Sequence, residues 1–185
     1  NYLPVWGYAI TTPIAAALLT GIITDTLGFR TSNTTPEALR QCALLMETGA
    51  DMPDLYMRSL VRKAYSVAKV WGAGLSSLEK NHNIVWGTVT IADRESAGYI
   101  ENDDANIVDF ISTIDEFDVA IVFVEQPNEY VKISWRSLKP GLDVGVVAKL
   151  FNGGGHVDRA GADLKGKLKE IQELVLSTTR KILFS

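Results

Sequence analysis

Three short segments carry residue types that can do chemistry. Gly153, Gly154, Gly155 and His156 run together and are followed at once by Val157, Asp158 and Arg159. Successive glycines offer backbone N–H groups without Cβ obstruction, as phosphate-holding nests do, and His156 and Arg159 add donors for the same anion. A glycine run serves equally well as a flexible connection between helix and strand. It is not a Walker loop, because no Lys-Ser or Lys-Thr follows at the required spacing. The second segment, Val131 to Ser137, alternates strictly. A period of two puts Val131, Ile133 and Trp135 on one face and Lys132, Ser134 and Arg136 on the other. Ser134 and Arg136 make a workable pair for a phosphate, though an ordinary solvated strand face reads the same way. The third, Thr24-Asp25-Thr26, closes an apolar run. A carboxylate there suggests either a divalent metal ligand or a turn in which Asp25 bonds local backbone.

The surrounding pattern supplies elements to position these residues. Pro13 suits the first turn of a helix capped by Thr11 or Thr12 and continuing from Ala15 to Ile23. A second helix starts at Thr34 or Thr35, shows Leu39, Cys42, Ala43 and Met46 as one buried face, and stops at Gly49. Residues 51–54 open another helical stretch. Leu60 to Leu78 reads as a long helix interrupted near Gly72 and Gly74, with a domain link ending in the polar residues 79–83. Short strands and helices then alternate. Ile84 to Ala92 is β-rich, Asn106 to Ile114 is an amphipathic helix behind an acidic stretch, and Val119 to Val124 is a central strand. A helix carrying Val144, Val147, Ala148 and Phe151 ends at Asn152-Gly153, and a last helix covers about 167–182. The expectation is an α/β fold around a mixed sheet.

Composition bounds the function. The chain has 185 residues, 46% of them apolar and 22% charged, which suits a globular protein with a sizeable core. A net charge of −4 gives no electrostatic footprint for long nucleic acid. Cys42 is the only cysteine, so no internal disulfide forms, and a reducing, cytoplasmic setting is expected. Cys42 itself reads as a small buried hydrophobe. The apolar stretch 9–23 has no basic residue before Arg30 and an early proline. Signal-peptide and membrane-span readings therefore fail, and a buried helix is expected.

Taken together, the segments resemble a known family. Residues 20–30 (TGIITDTLGFR) with Ser32, Asn33 and Thr34 resemble the last metal-binding motif of the DHH phosphoesterases. Residues 151–156 (FNGGGH) with Ala160-Gly161 resemble the signature of the DHH-associated domain, and 131–137 resembles its Ser-x-Arg-Ser strand. Order and spacing resemble the RecJ-like branch, most closely the oligoribonuclease/pAp phosphatases (nanoRNases). The resemblance covers nearly the whole chain. It implies a helical C-terminal piece of a catalytic domain over 1–59, a linker helix over 60–82, and an α/β substrate-binding domain over 83–185.

The same resemblance implies a phosphoesterase with two Mn or Mg ions acting on short RNA, pAp or related small nucleotides. Asp25 matches a metal ligand. Ser134, Arg136, Gly153, Gly154, Gly155, His156 and Arg159 match positions that hold substrate phosphate. The name-giving Asp-His-His is absent, since the only histidines are His82 and His156, and Leu27 stands where glycine is commoner. The chain, which begins at Asn1, is therefore expected to be part of a longer enzyme. It would lack a complete catalytic set and be inactive alone. Its helix over 15–23 would miss a partner sheet, leaving an apolar patch open to a second copy and so to a homodimer. A stand-alone phosphate or nucleic-acid binding module, like the related domain of alanyl-tRNA synthetases, is the rival from another class. Exopolyphosphatase, cyclic-dinucleotide phosphodiesterase and single-strand exonuclease remain alternatives within the enzyme class. The acidic balance weighs against the exonuclease.

Overall fold

The computed structural model of the chain describes residue 7, residues 9–31 and residues 33–184. The chain divides into two compact units, residues 1–63 and 64–185.

The first unit is helical: α1 Thr12–Asp25, α2 Pro36–Glu47, α3 Met52–Tyr56, then one π-helical turn, Met57–Val61. Thr35 caps α2 by accepting the Ala38 N–H at 3.1 Å, and Asp51 caps α3 by accepting the Asp54 N–H at 3.1 Å. Ala15, Leu19 and Ile23 of α1 pack on Cys42, Leu45 and Ala50. Of the buried face expected for α2 only Cys42 is buried, Ala43 is exposed, and Leu45 takes the inward place instead. Leu39 and Met46 are 48% and 44% exposed. Likewise α1 buries one stripe and leaves Ile14 and Leu18 in the open. A unit of so few helices has no second layer to cover a second apolar face.

The helix expected over 60–82 is shorter and broken elsewhere. The chain leaves helical geometry at Arg62, whose ψ is 129°, and α4 spans Tyr65–Ser76, straight through Gly72 and Gly74. Gly74 is needed for packing: a Cβ there would lie 2.7 Å from Ile107 Cδ1. The glycine lets the helix lie close on the sheet rather than ending it.

The second unit continues with β1 Glu79–Asn81, β2 Ile84–Val89, α5 Ile91–Ala97, α6 Ile107–Ile111, β3 Val119–Gln126 and β4 Tyr130–Ser137. It closes with α7 Val144–Lys149, β5 Gly154–Gly155, β6 Arg159–Lys165 and α8 Leu168–Leu183. The strands form one sheet, ordered β1-β2-β3-β4-β6-β5. The β2–β3 pair is parallel and the others are antiparallel, so the sheet is mixed as expected. α5 replaces the end of the strand expected to reach Ala92. Thr90 and Asp93 form a capping box that starts a helix there.

Helices cover both faces of the middle of the sheet, which makes three layers there. On one face Trp86, Ile121, Phe123, Ile133 and Trp135 pack against α7 and α8. On the other, Val85, Val89, Ala120, Val122 and Val124 pack against α4 and α6. β3 contributes to both cores, which explains its unbroken apolar sequence. No helix among the described residues is long and apolar enough to cross a membrane.

Asp118 fastens the start of β3. Its carboxylate accepts from Lys139 Nζ at 2.6 Å and from Asn83 Nδ2, and its carbonyl accepts the Leu138 N–H at 2.8 Å. The Lys139 bond, and then the Asn83 bond, hold this carboxyl below the usual aspartate range. A carboxyl with a depressed folded-state pKa contributes stability above its unfolded pKa and loses it as pH falls through the folded value. Asp118→Asn should therefore lower the melting temperature at pH 7 and shrink the difference from wild type progressively below about pH 4. Melting curves across pH 2–7 check this, and a pH-independent difference would contradict it.

Candidate functional site

The strand register shows what the alternation in β4 is for. Val131, Ile133 and Trp135 enter the core, as the spacing predicts. Lys132, Ser134 and Arg136 lie opposite Val124, Val122 and Ala120 and so share their face. On that face the helices sit over β2, β3 and the near side of β4, while residues of β6 and β5 stay open: Arg159, Asp163 and Gly154 are exposed. The result is a shelf of uncovered sheet, about 10 Å across three strands and about 13 Å along β4 from Lys132 to Arg136.

Of the residues singled out in this unit, Ser134, Arg136, Gly154 and Arg159 meet on the shelf. Ser134 pairs with Gly161, and Gly161 pairs with Gly154. These three positions make a row with two bare backbones beside one hydroxyl. Arg136 pairs with Arg159 in the neighbouring row of the same face, two residues along the strands. Arg136 is clamped: its Nε donates to Asp109 Oδ1 at 2.7 Å and its Nη1 to the Trp135 carbonyl at 3.0 Å. Arg159 donates to Asp158 Oδ2 at 3.3 Å. Each arginine thus carries its own carboxylate, and the end of the shelf is nearly charge-balanced.

The glycine run does not form the open nest that its composition suggests. α7 ends with Asn152 in the left-handed region at φ 57°, and the Gly153 N–H closes the turn onto the Ala148 carbonyl at 2.9 Å. The His156 N–H donates to the Arg159 carbonyl at 2.7 Å. Two of the amides are therefore spent inside the chain. Gly153 and Gly155 are required by the strand pairing itself, because a Cβ would lie 2.2 Å from the Gly161 carbonyl oxygen and 2.3 Å from that of Arg159 respectively. Gly154 differs: nothing lies within 4 Å of where its Cβ would be. The fold needs no glycine there, and the bare backbone faces the open shelf. The His156 side chain is exposed, and its carbonyl packs close on Gly145 of α7.

Asp25 lies in the other unit, at the last residue of α1. It is exposed, so no burial penalty has to be explained, and it bonds the side chain of Asn33, whose Nδ2 donates to Oδ2 at 2.6 Å, rather than local backbone. The turn behind it is left-handed at Leu27 (φ 46°) and Phe29 (φ 69°). A left-handed leucine costs roughly 1–2 kcal/mol, the physical reason glycine is favoured at that position. The Thr26 hydroxyl holds the turn, donating to the Ile22 carbonyl at 2.7 Å and accepting the Phe29 N–H at 3.0 Å. Ser32, the remaining motif residue, lies outside the described residues. Among the described residues no group of three or more His, Cys, Asp or Glu side chains is arranged to hold a metal. Asp25 could supply one ligand to a metal, but the described residues do not complete a coordination sphere around it.

Two cavities lie away from the shelf. One, of about 250 Å³, sits at the start of α8, and one of about 260 Å³ sits between the β1–β2 turn and Arg180. Neither holds any residue of the shelf row. The shelf is a flat surface, and its case rests on residue types and register.

The model of the DHHA1 domain matches residues 87–181, which run from the end of β2 through β3 to β6, with the shelf, and into most of α8. The chain belongs to the DHHA1 domain family. It is similar to the bifunctional oligoribonuclease and PAP phosphatase NrnA of Thermus thermophilus, 38% identical over 180 residues that make up 96% of this chain and 53% of that protein. The protein of the same name from Mycoplasma genitalium is 28% identical over 178 residues, 94% of this chain and 53% of that one. This DHHA1 chain thus spans about half the length of the curated relatives it matches. The fold is shared with an exopolyphosphatase-related protein from Bacteroides fragilis, at a TM-score of 0.85 and 24% identity, over 93% of this chain and 51% of that one.

Sequence reasoning missed Asp109, which reaches Arg136 from 27 residues away. No local signal marks it. Gly161 was visible only as part of the glycine-histidine signature.

The glycines generate a sharp expectation. Gly153→Ala and Gly155→Ala drive a Cβ into backbone and should destabilise strongly, by several kcal/mol or to the point of not folding. Gly154→Ala should fold with an unchanged melting temperature. Circular dichroism melts of the three variants check this. A large loss in Gly154→Ala would mean that the fold, not a ligand, demands that glycine.

Proposed function

We propose that this chain is the nucleotide-holding part of a metal-dependent phosphoesterase that acts on short oligoribonucleotides, pAp or related small nucleotides. The observation that carries the reading is the row Ser134–Gly161–Gly154 flanked, two residues along the strands, by the pair Arg136 and Arg159. A bare double-glycine backbone lets a flat, polar ligand approach closely. A hydroxyl and two guanidinium groups at one end suit a terminal phosphate. The shelf has room for one or two nucleotides and not for a long strand. Paired arginines also disfavour a long polyphosphate, which would need a stripe of unpaired cations. The relatives named for oligoribonuclease and PAP phosphatase activity support the substrate class.

In this reading the reaction takes place against the rest of a longer protein. Mn or Mg would be held mainly by ligands that the described residues do not supply, with Asp25 contributing one. This chain's residues bind and orient the substrate, and position is a large part of catalysis in such enzymes.

Isothermal titration with AMP and pAp tests the binding half. We expect weak, saturable binding that Arg136→Ala or His156→Ala lowers by about tenfold or more, the loss of one charge-assisted bond. Unchanged affinity in both variants would overturn the assignment. The chain alone, incubated with Mn and pAp, should release no phosphate. Turnover that disappears in Asp25→Ala would show that it builds a complete centre by itself.

A further inference from the structure

Arg136 is the shelf residue with the most elaborate surroundings, and its partners do not all favour an anion. Asp109 on α6 takes its Nε at 2.7 Å, and the pair is only partly exposed, with side-chain exposures of 23% for Arg136 and 41% for Asp109. The Trp135 carbonyl takes Nη1 at 3.0 Å. Among the described residues nothing claims Nη2. Asp104, 7% exposed, lies near enough to feel the guanidinium charge. Across the strand pair stands Arg159, with Asp158 beside it.

Two carboxylates beside an anion-binding arginine repel the ligand they help to recruit. A purely electrostatic design would omit them. Their geometry, however, removes the main cost of using arginine, which is the rotational freedom of its long side chain. Two bonds at different nitrogens fix both the plane and the rotation of the guanidinium and leave Nη2 without a partner among the described residues.

We infer that Asp109 is a positioning residue for nucleotide binding: it holds Arg136 in the phosphate-accepting orientation, at the expense of charge attraction. The inference rests on the proposed role of Arg136 and adds to it a residue that touches no substrate. It separates two effects of one carboxylate, since Asp109→Asn keeps an oxygen acceptor for Nε and removes the charge, whereas Asp109→Ala removes both. A tie between α6 and β4 that served stability alone would not distinguish these variants in ligand binding.

The experiment measures AMP affinity by titration calorimetry for wild type, Asp109→Asn and Asp109→Ala, at a temperature where melting curves show all three folded. In parallel it follows the Arg136 Nε–H resonance by NMR without ligand. The expected result is that Asp109→Ala weakens binding by about two- to tenfold, while Asp109→Asn binds as tightly as wild type or more tightly. The Nε–H signal should be slow to exchange in wild type and Asp109→Asn and lost to exchange in Asp109→Ala. Equal affinities in all three, or equal losses in both variants, overturn the inference. So does a protected Nε–H signal in Asp109→Ala. If wild type binds no AMP while the Nε–H signals behave as expected, the nucleotide reading fails and the clamp on Arg136 stands.

Discussion

Everything in the second unit hangs on a sheet whose middle is buried on both sides and whose outer part is not. β3 gives Ile121 and Phe123 to one core and Ala120, Val122 and Val124 to the other. Burying both faces of a strand removes its ligand-binding potential and makes it a wall. β4 shares one of those cores through Ile133 and Trp135, the latter held by a bond from Nε1 to Thr179 Oγ1 at 3.2 Å and stacked on Phe151. Its other face runs out from under the helices. The polar residues of β4 are therefore fixed as firmly as core residues, because the alternate side chains are core residues.

The glycines extend that rigid frame by two strands. Cβ-free backbone at Gly153 and Gly155 lets β5 press against β6, and α7 turns into β5 through a single left-handed residue. The position between them has no such duty. One run of glycine thus does two unlike things: its flanks satisfy packing, and its middle leaves an open floor. That division is also why the amides of the loop are not all available to an anion, and why the proposed reading assigns recognition to the arginines and the hydroxyl.

Much of this was legible in the residues, and the misses have physical causes. Strict alternation in β4 gave its faces correctly, because Trp135 and Ile133 cannot sit anywhere but a core. The apolar run of β3 gave a central strand for the same reason. Gly74 misled because a glycine that permits close packing looks, in sequence, like one that ends a helix, and Gly72 lies in the same helix with open space where its Cβ would be. α5 was hidden by a β-rich stretch, although Thr90 and Asp93 carried the cap. The apolar face assigned to α2 failed because Leu39 and Met46 follow helical spacing yet face no layer within their own unit. Nothing local reveals that Asp109 meets Arg136, since that contact exists only once β4 and α6 are packed. The motif around Asp25 was recognisable by resemblance, while its surroundings show a carboxylate tied to Asn33 with no group of metal ligands around it among the described residues.

The central claim is that the row Ser134–Gly161–Gly154, flanked by Arg136, is where nucleotide phosphate lies. Residue-resolved NMR of the amide signals during titration with AMP tests it most directly. The account predicts that the largest shifts fall at Ser134, Arg136, Gly154 and Gly161, and that the β1–β2 turn at His82 and the C-terminal end of α8 stay still. Shifts concentrated in the cavity lined by Asn81, His82 and Arg180, with the shelf unmoved, would contradict it.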